Sequence, residues 1–459
     1  MRVIICGAGQ VGFGIAERLA AENNDVTIID NNPELVLRAN DVLDVRAIQG
    51  HGAHPDVLAR AGADATDMLI AVTLYDEVNM VACQVANTLF NVPTRIARVR
   101  AQTYLDKNWA ALFSGKGLGI DYIISPEIAV GNAVLRRLKL PGAFETYAFA
   151  DDNMSALGIS CKPDCPVVDT DLAQLAELFP DLPATVVAIV RGGEMRAAHK
   201  SDRLLVGDDV YVVVPNEYVP RTLKIFGHSE VQARRVVIAG GGNIGLYVAR
   251  AIEQREPNVR VKVIETSRDR AVEVAELLGR TVVLNGSSLS EDLLREAEVH
   301  ATETLVALTN DDQVNILTSV LAKQLGCERA ICLATAPGYT KMIRSFGIDA
   351  QVNPRAITTS NILQYVRRGK IRGVHAVQNG RGELLEAEAL ETSEIVAKPL
   401  RDLHLPDGIR IGGIWRGGKA VLVRGDTELA PKDRVIMFSP TPLVRQVEQM
   451  FRVAPDYGI

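Results

Sequence analysis

The chain runs to 459 residues, more than one hydrophobic core sustains and enough for three or four ordinary domains. Hydrophobic residues make up 47% and charged residues 23%, which excludes global disorder, and a net charge of −6 argues against an extended nucleic-acid surface. No apolar run approaches the roughly 18 to 20 residues needed to cross a bilayer, so no membrane span is expected.

Met1 and Arg2 lead directly into a strand predicted at 2–6, with no basic region, apolar stretch or cleavage site before it, and the chain is expected to stay in the cytoplasm. The stretch "VIICGAGQVG" then satisfies G-x-G-x-x-G with Gly7, Gly9 and Gly12, placed after a strand and before a helix. Gly7 permits the tight turn, Gly9 lets a phosphate approach bare backbone, and Gly12 lets the helix pack against the sheet. The amides of residues 8 to 12 would then face a pyrophosphate at the positive end of the helix dipole. Val11, Ile15 and Leu19 recur at helical spacing on that helix.

A second strand at 25–29 ends in Asp30, whose carboxylate can accept hydrogen bonds from both hydroxyls of a ribose and would repel a 2′-phosphate, favouring NAD over NADP. Strands follow at 44–48, 68–73, 95–99 and 121–124. After the third comes "GHGAHP", with the close pair His51 and His54, expected to serve the loop or cap a helix. Thr73 ends the fourth strand at the switch point of the sheet, and Arg98 ends the fifth, where a cation can meet phosphate. Strands alternating with amphipathic helices imply a parallel sheet with helices on both faces.

Past the midpoint the pattern returns. Gly7 aligns with Gly240 and Gly50 with Gly286, and strands are predicted to begin at Arg235, Arg260, Thr281, Thr304, Arg329 and Asp349. Gly240, Gly242 and Gly245 repeat the glycine spacing, Ile244, Val248 and Ile252 the helical stripe, Glu265 the strand-end acid and Thr309 the threonine. Arg268 lies close enough to Glu265 to blur the choice between NAD and NADP there. The fifth strand now reads "ICLAT", without an arginine, so the two sites are not equivalent. Two turn-rich segments also match each other, Arg191 of "VAIVRGGE" with Arg416 of "GGIWRGGK" and Leu205 with Leu429. The predicted organisation is therefore two tandem doubly wound Rossmann-like domains, 1–140 and 232–370, each followed by a small α+β domain, 141–228 and 371–455.

Six cysteines lie scattered, with no C-x-x-C pair; the spacing of "CKPDC" is loose for a metal or a redox bridge, no second pair exists, and no metal is expected. No tyrosine has a lysine four residues on, and G-x-S-x-G, H-E-x-x-H and a Walker A loop are all missing. A dehydrogenase needs a proton donor or acceptor beside its nicotinamide, and neither copy offers one that the other shares. Nucleotide binding without catalysis is the simpler reading. An NAD-dependent oxidoreductase of unidentified substrate is the alternative.

Tandem Rossmann-like units with a strand-end acid, each followed by a domain with the "AIVRGG…LLVGDDVYVVV" pattern, resemble the regulator of potassium conductance family. Over the whole chain, "MRVIICGAGQVG", "HGAHPDVLARAGADATDMLIAVT" and "IARVR" are similar to the cytosolic NAD-binding subunits of bacterial Trk potassium uptake systems. The resemblance implies a peripheral protein on the cytoplasmic side of the inner membrane, a homo-oligomeric ring, a tetramer, beneath a potassium-translocating membrane subunit; the net charge had already set nucleic acid aside as a partner. It implies binding of NAD(H) and of ATP or ADP. By matching position, the first site comprises Gly7, Ala8, Gly9, Gln10, Val11, Gly12, Asp30, Thr73, Leu74 and Arg98. The second comprises Gly240, Gly241, Gly242, Asn243, Ile244, Gly245, Glu265 and Thr309. A ligand-gated regulator of a different cation transporter is the remaining alternative, since related ring-forming domains serve several.

Overall fold

The computed structural model describes residues 1–113, 117–336, 338–366, 371–393 and 395–451; the domain limits expected at 370 and 455 fall outside them. The chain divides into two compact units, one of Met1–Ala129 with Arg355–Val366, the other of Val130–Pro354 with Arg367–Ile459.

The first unit carries a six-stranded parallel sheet of β1 (Arg2–Cys6), β2 (Asp25–Asp30), β3 (Arg46–Gln49), β4 (Met68–Ala71), β5 (Thr94–Arg98) and β6 (Tyr122–Ile124). The strand order is β3-β2-β1-β4-β5-β6, so the sheet reverses direction of growth between β1 and β4. Helices α1 (Gln10–Ala21), α2 (Pro33–Val42), α3 (Pro55–Arg60) and α4 (Asp76–Phe90) make the connections. The central strands are apolar on both faces because helices cover both, as parallel sheets require. Four of the five residues of β1 and all four of β4 are buried. Phe13, Ile15, Ala16 and Leu19 of α1 supply part of that cover.

In the second unit, α5 (Pro126–Lys139) continues beyond Ala129 and leads into an antiparallel sheet of β7 (Glu145–Phe149), β8 (Met154–Ser160), β9 (Thr185–Arg191), β10 (Glu194–Ala197) and β11 (Asp209–Pro215), with α6 (Leu172–Leu178) and α7 (Val219–Ile225). A second parallel sheet follows, of β12 (Arg235–Ala239), β13 (Arg260–Glu265), β14 (Val282–Asn285), β15 (Thr304–Ala307), β16 (Arg329–Leu333) and β17 (Ala350–Val352). Its order, β14-β13-β12-β15-β16-β17, repeats that of the first sheet. Its helices are α8 (Asn243–Arg255), α9 (Arg268–Leu277), α10 (Glu291–Glu296), α11 (Asp312–Gln324) and α12 (Tyr339–Ser345). After α13 (Pro354–Val366) come β18 (Ile371–Val377), β19 (Gly382–Glu388), β20 (Arg410–Arg416), β21 (Lys419–Val421), β22 (Arg434–Pro440) and α14 (Val444–Met450).

The two antiparallel sheets have the same order read from opposite edges, β7-β8-β11-β9-β10 and β18-β19-β22-β20-β21. They share one core, in which Phe149, Val187 and Val213 pack with Leu384, Ile436 and Phe438. The matched arginines explain their own recurrence: Arg191 bonds buried Asp208 and Arg416 bonds buried Asp433, each at 2.7 Å from Nη2 to Oδ2. Each carboxylate also accepts the amide of a preceding loop residue, Leu205 or Ala430, so the pair closes the same turn in both repeats.

The helices at the ends of the Rossmann-like repeats pack alike. Residue Arg355 of α13 crosses α1 where a Cβ on Gly14 would come within 2.8 Å of its Nε, and Tyr365 stacks on Tyr122 at 4.0 Å. In the other unit, α5 crosses α8 where a Cβ on Gly131 would come within 2.3 Å of the Tyr247 ring, and the Tyr247 hydroxyl donates to Asn132 at 2.9 Å. Small residues here permit helix approach that a side chain would block.

Three expected boundaries move for identifiable reasons. The third strand of the second repeat begins at Val282 because Thr281 donates through both its amide and its hydroxyl to Glu253 rather than joining the ladder. The fourth strands end at Ala71 and Ala307, short of Thr73 and Thr309, whose amides are taken by Asn79 and Asn315.

Candidate functional site

Both glycine loops adopt one geometry. Gly7 and Gly240 have φ of +109° and +110°, in the left-handed region, and a Cβ there would press to 3.0 Å on the backbone that follows β4 or β15. Gly12 and Gly245 are held tighter still, since a Cβ would lie 1.8 and 1.9 Å from the carbonyl oxygens of Gly7 and Gly240. These four glycines are demanded by the fold. The middle ones are not: Gly9 and Gly242 have φ of −63°, and a Cβ on either would find no protein atom within 4 Å. What their missing side chain leaves open is the outer surface of the loop.

That surface ends on two bare helix starts. Neither α1 nor α8 has a side-chain cap or an acid in its first turn, whereas α2, α9, α10 and α11 are capped by Asn32, Ser267, Ser290 and Asp311. The N–H groups of Gln10, Val11 and Gly12, and of Asn243, Ile244 and Gly245, therefore project at the positive end of a helix of 12 or 13 residues with nothing of the helix's own to accept them.

The strand-end acids are fixed beside the loops. Asp30 accepts from Ala8 N at 2.6 Å and from Asn32 N at 2.8 Å. Glu265 accepts from Gly241 N and Ser267 N, both at 2.8 Å. Each carboxylate oxygen thus receives one backbone donor and keeps lone pairs for more. Thr73 and Thr309 lie across the switch point, each held by a buried asparagine that the sequence reading missed. Asn79 accepts from the amide and hydroxyl of Thr73 and donates to the carbonyls of Thr73 and Arg98, at 2.7 to 3.2 Å. Asn315 does the same for Thr309 and reaches the Leu333 carbonyl at 3.1 Å. Both asparagines are fully buried. The signal was present in the aligned "DEVNM" and "DDQVNI", each with an inward asparagine among helix-spaced apolar residues. Leu74 is 70% exposed on the same turn.

The cations differ. Arg98 ends β5, and its Nε is buried with no hydrogen-bond partner among the described residues; burial, then repulsion from Arg100, pushes its pKa down. In the second repeat buried Leu333 takes that place, and the cation comes instead from Arg270 in the first turn of α9. Arg270 Nε donates to the Gly241 carbonyl at 2.8 Å, Nη1 pairs with Glu273 at 2.8 Å, and Nη2 is buried without a partner among the described residues. Leu35 stands at the equivalent point of the first repeat, so this arginine was not to be found by aligning the copies.

The loop after β3 turns under the end of β1, where a Cβ on Gly52 would meet the Cys6 side chain at 2.8 Å. His51 Nδ1 accepts from Ala53 N at 3.4 Å; His54 stands at the N-cap of α3 without capping it, and the two rings stack at 4.5 Å. Ser287 and Ser290 stand at these positions in the second repeat, and Ser290, unlike His54, caps its helix by accepting from the Leu293 amide.

Comparison with known proteins extends over the whole chain. The TrkA-N domain model matches residues 3–126 and 236–354, and the TrkA-C domain model residues 384–452. Trk system potassium uptake protein TrkA of Azorhizobium caulinodans is 56% identical over 457 residues, covering both chains completely. TrkA of Vibrio alginolyticus is 37% identical, again over all of both chains. Among solved structures, the RCK domain of GsuK has a TM-score of 0.61 at 16% identity, covering 98% of this chain and 94% of that one. A GsuK channel bound to NAD has a TM-score of 0.61 at 14% identity, covering 98% and 78%. These two structures share the fold.

Proposed function

The chain belongs to the TrkA family of Trk system potassium uptake proteins, and from that premise we propose that it is the nucleotide-sensing subunit that regulates the potassium-translocating membrane protein of such a system. The observation that carries this reading is the pair of open loops, each with an uncapped helix start, an oriented carboxylate and a glycine whose missing side chain serves nothing inside the protein. A dinucleotide matches those features. Its pyrophosphate would take the amides of residues 10 to 12 and the charge of Arg98, the Ala8 amide expected to join them being held by Asp30 instead, while its ribose hydroxyls would donate to Asp30. NAD(H) is the ligand of the first site. The second site, with Glu265 and Arg270, takes NAD(H) or an adenine nucleotide such as ATP or ADP.

The chain works without catalysis, as a homo-oligomeric ring at the cytoplasmic face of the inner membrane. Ligand acts through differential affinity for two states of that ring, one of which favours the conducting membrane subunit. Support for binding without turnover comes from the site itself: His51 and His54 are replaced in the second repeat by Ser287 and Ser290, so the two loops share no histidine. Asp30→Ala should weaken NADH binding in calorimetry by about ten-fold or more, the loss of charge-assisted bonds to two hydroxyls. Unchanged affinity would overturn the site. Steady NADH oxidation on addition of a metabolite pool would overturn the absence of catalysis. Cells lacking the chain that take up potassium normally at low external potassium would overturn the regulatory role.

A further inference from the structure

The two small domains enclose between them a cleft of about 920 Å³, lined by no residue of either glycine loop. That is at the upper end of the roughly 300 to 1,000 Å³ that ligand pockets occupy. Its wall is apolar from both sides, with Leu175 and Val186 of the first domain facing Leu405 and Ile411 of the second. Its rim is cationic: Lys200, Arg401, Arg410 and Arg424 line it with His199, and Glu177 is the single acid among the lining residues. Four fixed positive charges against one negative is a local excess on a chain whose net charge is −6.

Two of the cations are positioned by backbone carbonyls. Arg410 donates to the Ala198 carbonyl at 2.7 Å and lies against the His199 ring, and Arg424 donates to the Pro180 carbonyl at 3.1 Å. Among the described residues no ion pair joins Lys200, Arg410 or Arg424 to a carboxylate, and the pairing of Arg401 is with its exposed neighbour Asp402 at 4.0 Å. Lys200 and Arg424 stand five residues before the matched Leu205 and Leu429, so the two repeats place a cation at the same point of the turn. An uncharged apolar ligand would cover these cations without neutralising them, and a small hydrophilic anion would leave the apolar wall wet. A ligand with both an acid and a hydrocarbon body satisfies both surfaces.

We propose that the cleft between the two small domains binds an amphipathic carboxylate, a medium-length acyl chain against the apolar wall with its acid on Lys200 and Arg424. The source is the free acyl anion in solution rather than a lipid in a bilayer. The test uses the full chain and dodecanoate, with dodecanol and acetate as the two halves of the chemistry. Calorimetry should give saturable binding of dodecanoate, with dodecanol and acetate each weaker by about ten-fold or more. Lys200→Gln combined with Arg424→Gln, both exposed, should lower dodecanoate affinity about ten-fold, leave dodecanol unchanged and leave NADH binding intact. Leu405→Ser should weaken dodecanoate and dodecanol together. No saturable binding of dodecanoate, equal binding of dodecanol, or unchanged binding in the double variant would each overturn the proposal. So would flotation with phosphatidylglycerol vesicles that depends on Lys200 and Arg424 while free dodecanoate fails to compete.

Discussion

Substituting Gly9 by alanine separates ligand from fold. Gly9 has φ −63° and ψ −173°, an extended conformation open to any residue, and its added Cβ meets no protein atom within 4 Å. Folding should therefore be unharmed, and loss of glycine's freedom in the unfolded chain should stabilise by about 0.4 to 1 kcal/mol. The same methyl stands on the outer surface of the loop, where a phosphate must reach the N–H groups that begin α1. Displacing the phosphate from one charge-assisted bond costs about 1.5 to 3 kcal/mol, or roughly 10- to 100-fold in affinity. Gly12→Ala is the opposite case: its Cβ would lie 1.8 Å from the Gly7 carbonyl oxygen, a backbone clash that no rotamer relieves. Thermal unfolding and NADH calorimetry on both variants should give a stable Gly9→Ala protein that binds poorly and a destabilised Gly12→Ala protein. A Gly9→Ala protein that binds NADH as the parent does would refute the placement of phosphate on this loop, and one that unfolds early would refute the open space assigned to it.

Asn79→Ala should lower stability by about 2 to 4 kcal/mol in urea titration, because it strands the Thr73 amide and the Arg98 carbonyl in a buried site. Arg98→Leu, which copies the second repeat, should weaken NADH binding about ten-fold yet leave the urea midpoint unchanged or raised, since it removes a buried Nε with no partner. His375, stacked on Tyr147 at 4.9 Å and edge-on to Phe149 at 5.1 Å, has its pKa pushed from 6.5 to about 4 by burial and then by Arg136. A base whose folded pKa is depressed stabilises fully above pH 6.5, and that contribution fades as pH falls toward 4. At 1.36 kcal/mol per pKa unit it reaches about 3 kcal/mol, so urea midpoints should fall between pH 7 and 4.5 and fall less in His375→Phe.

Much of this architecture was legible because duplication makes a sequence its own control. The doubled glycine spacing, strand-end acid and alternation of strand with amphipathic helix fixed two parallel sheets, and their observed strand orders are identical. Recurrence of Arg191 as Arg416 was visible as a pattern, but its cause, a buried aspartate closing a turn, lies 17 residues along the chain and needs coordinates. The crossing of α13 over α1 and of α5 over α8 was not legible at all, since Gly14 and Gly131 read as ordinary helix residues until the facing Arg355 and Tyr247 are known. The same control misled where the copies diverge. Comparing strand ends placed a cation in the first repeat and none in the second, whereas the second brings Arg270 to its loop from a different element, with one nitrogen on the Gly241 carbonyl and another buried without partner. A guanidinium on the second strand's side of the loop and one at the fifth strand's end cannot meet the same phosphate in the same pose. If the repeats bind nucleotide, they hold it differently, and Arg270→Leu should therefore change the ligand preference of the second loop while leaving NADH on the first untouched.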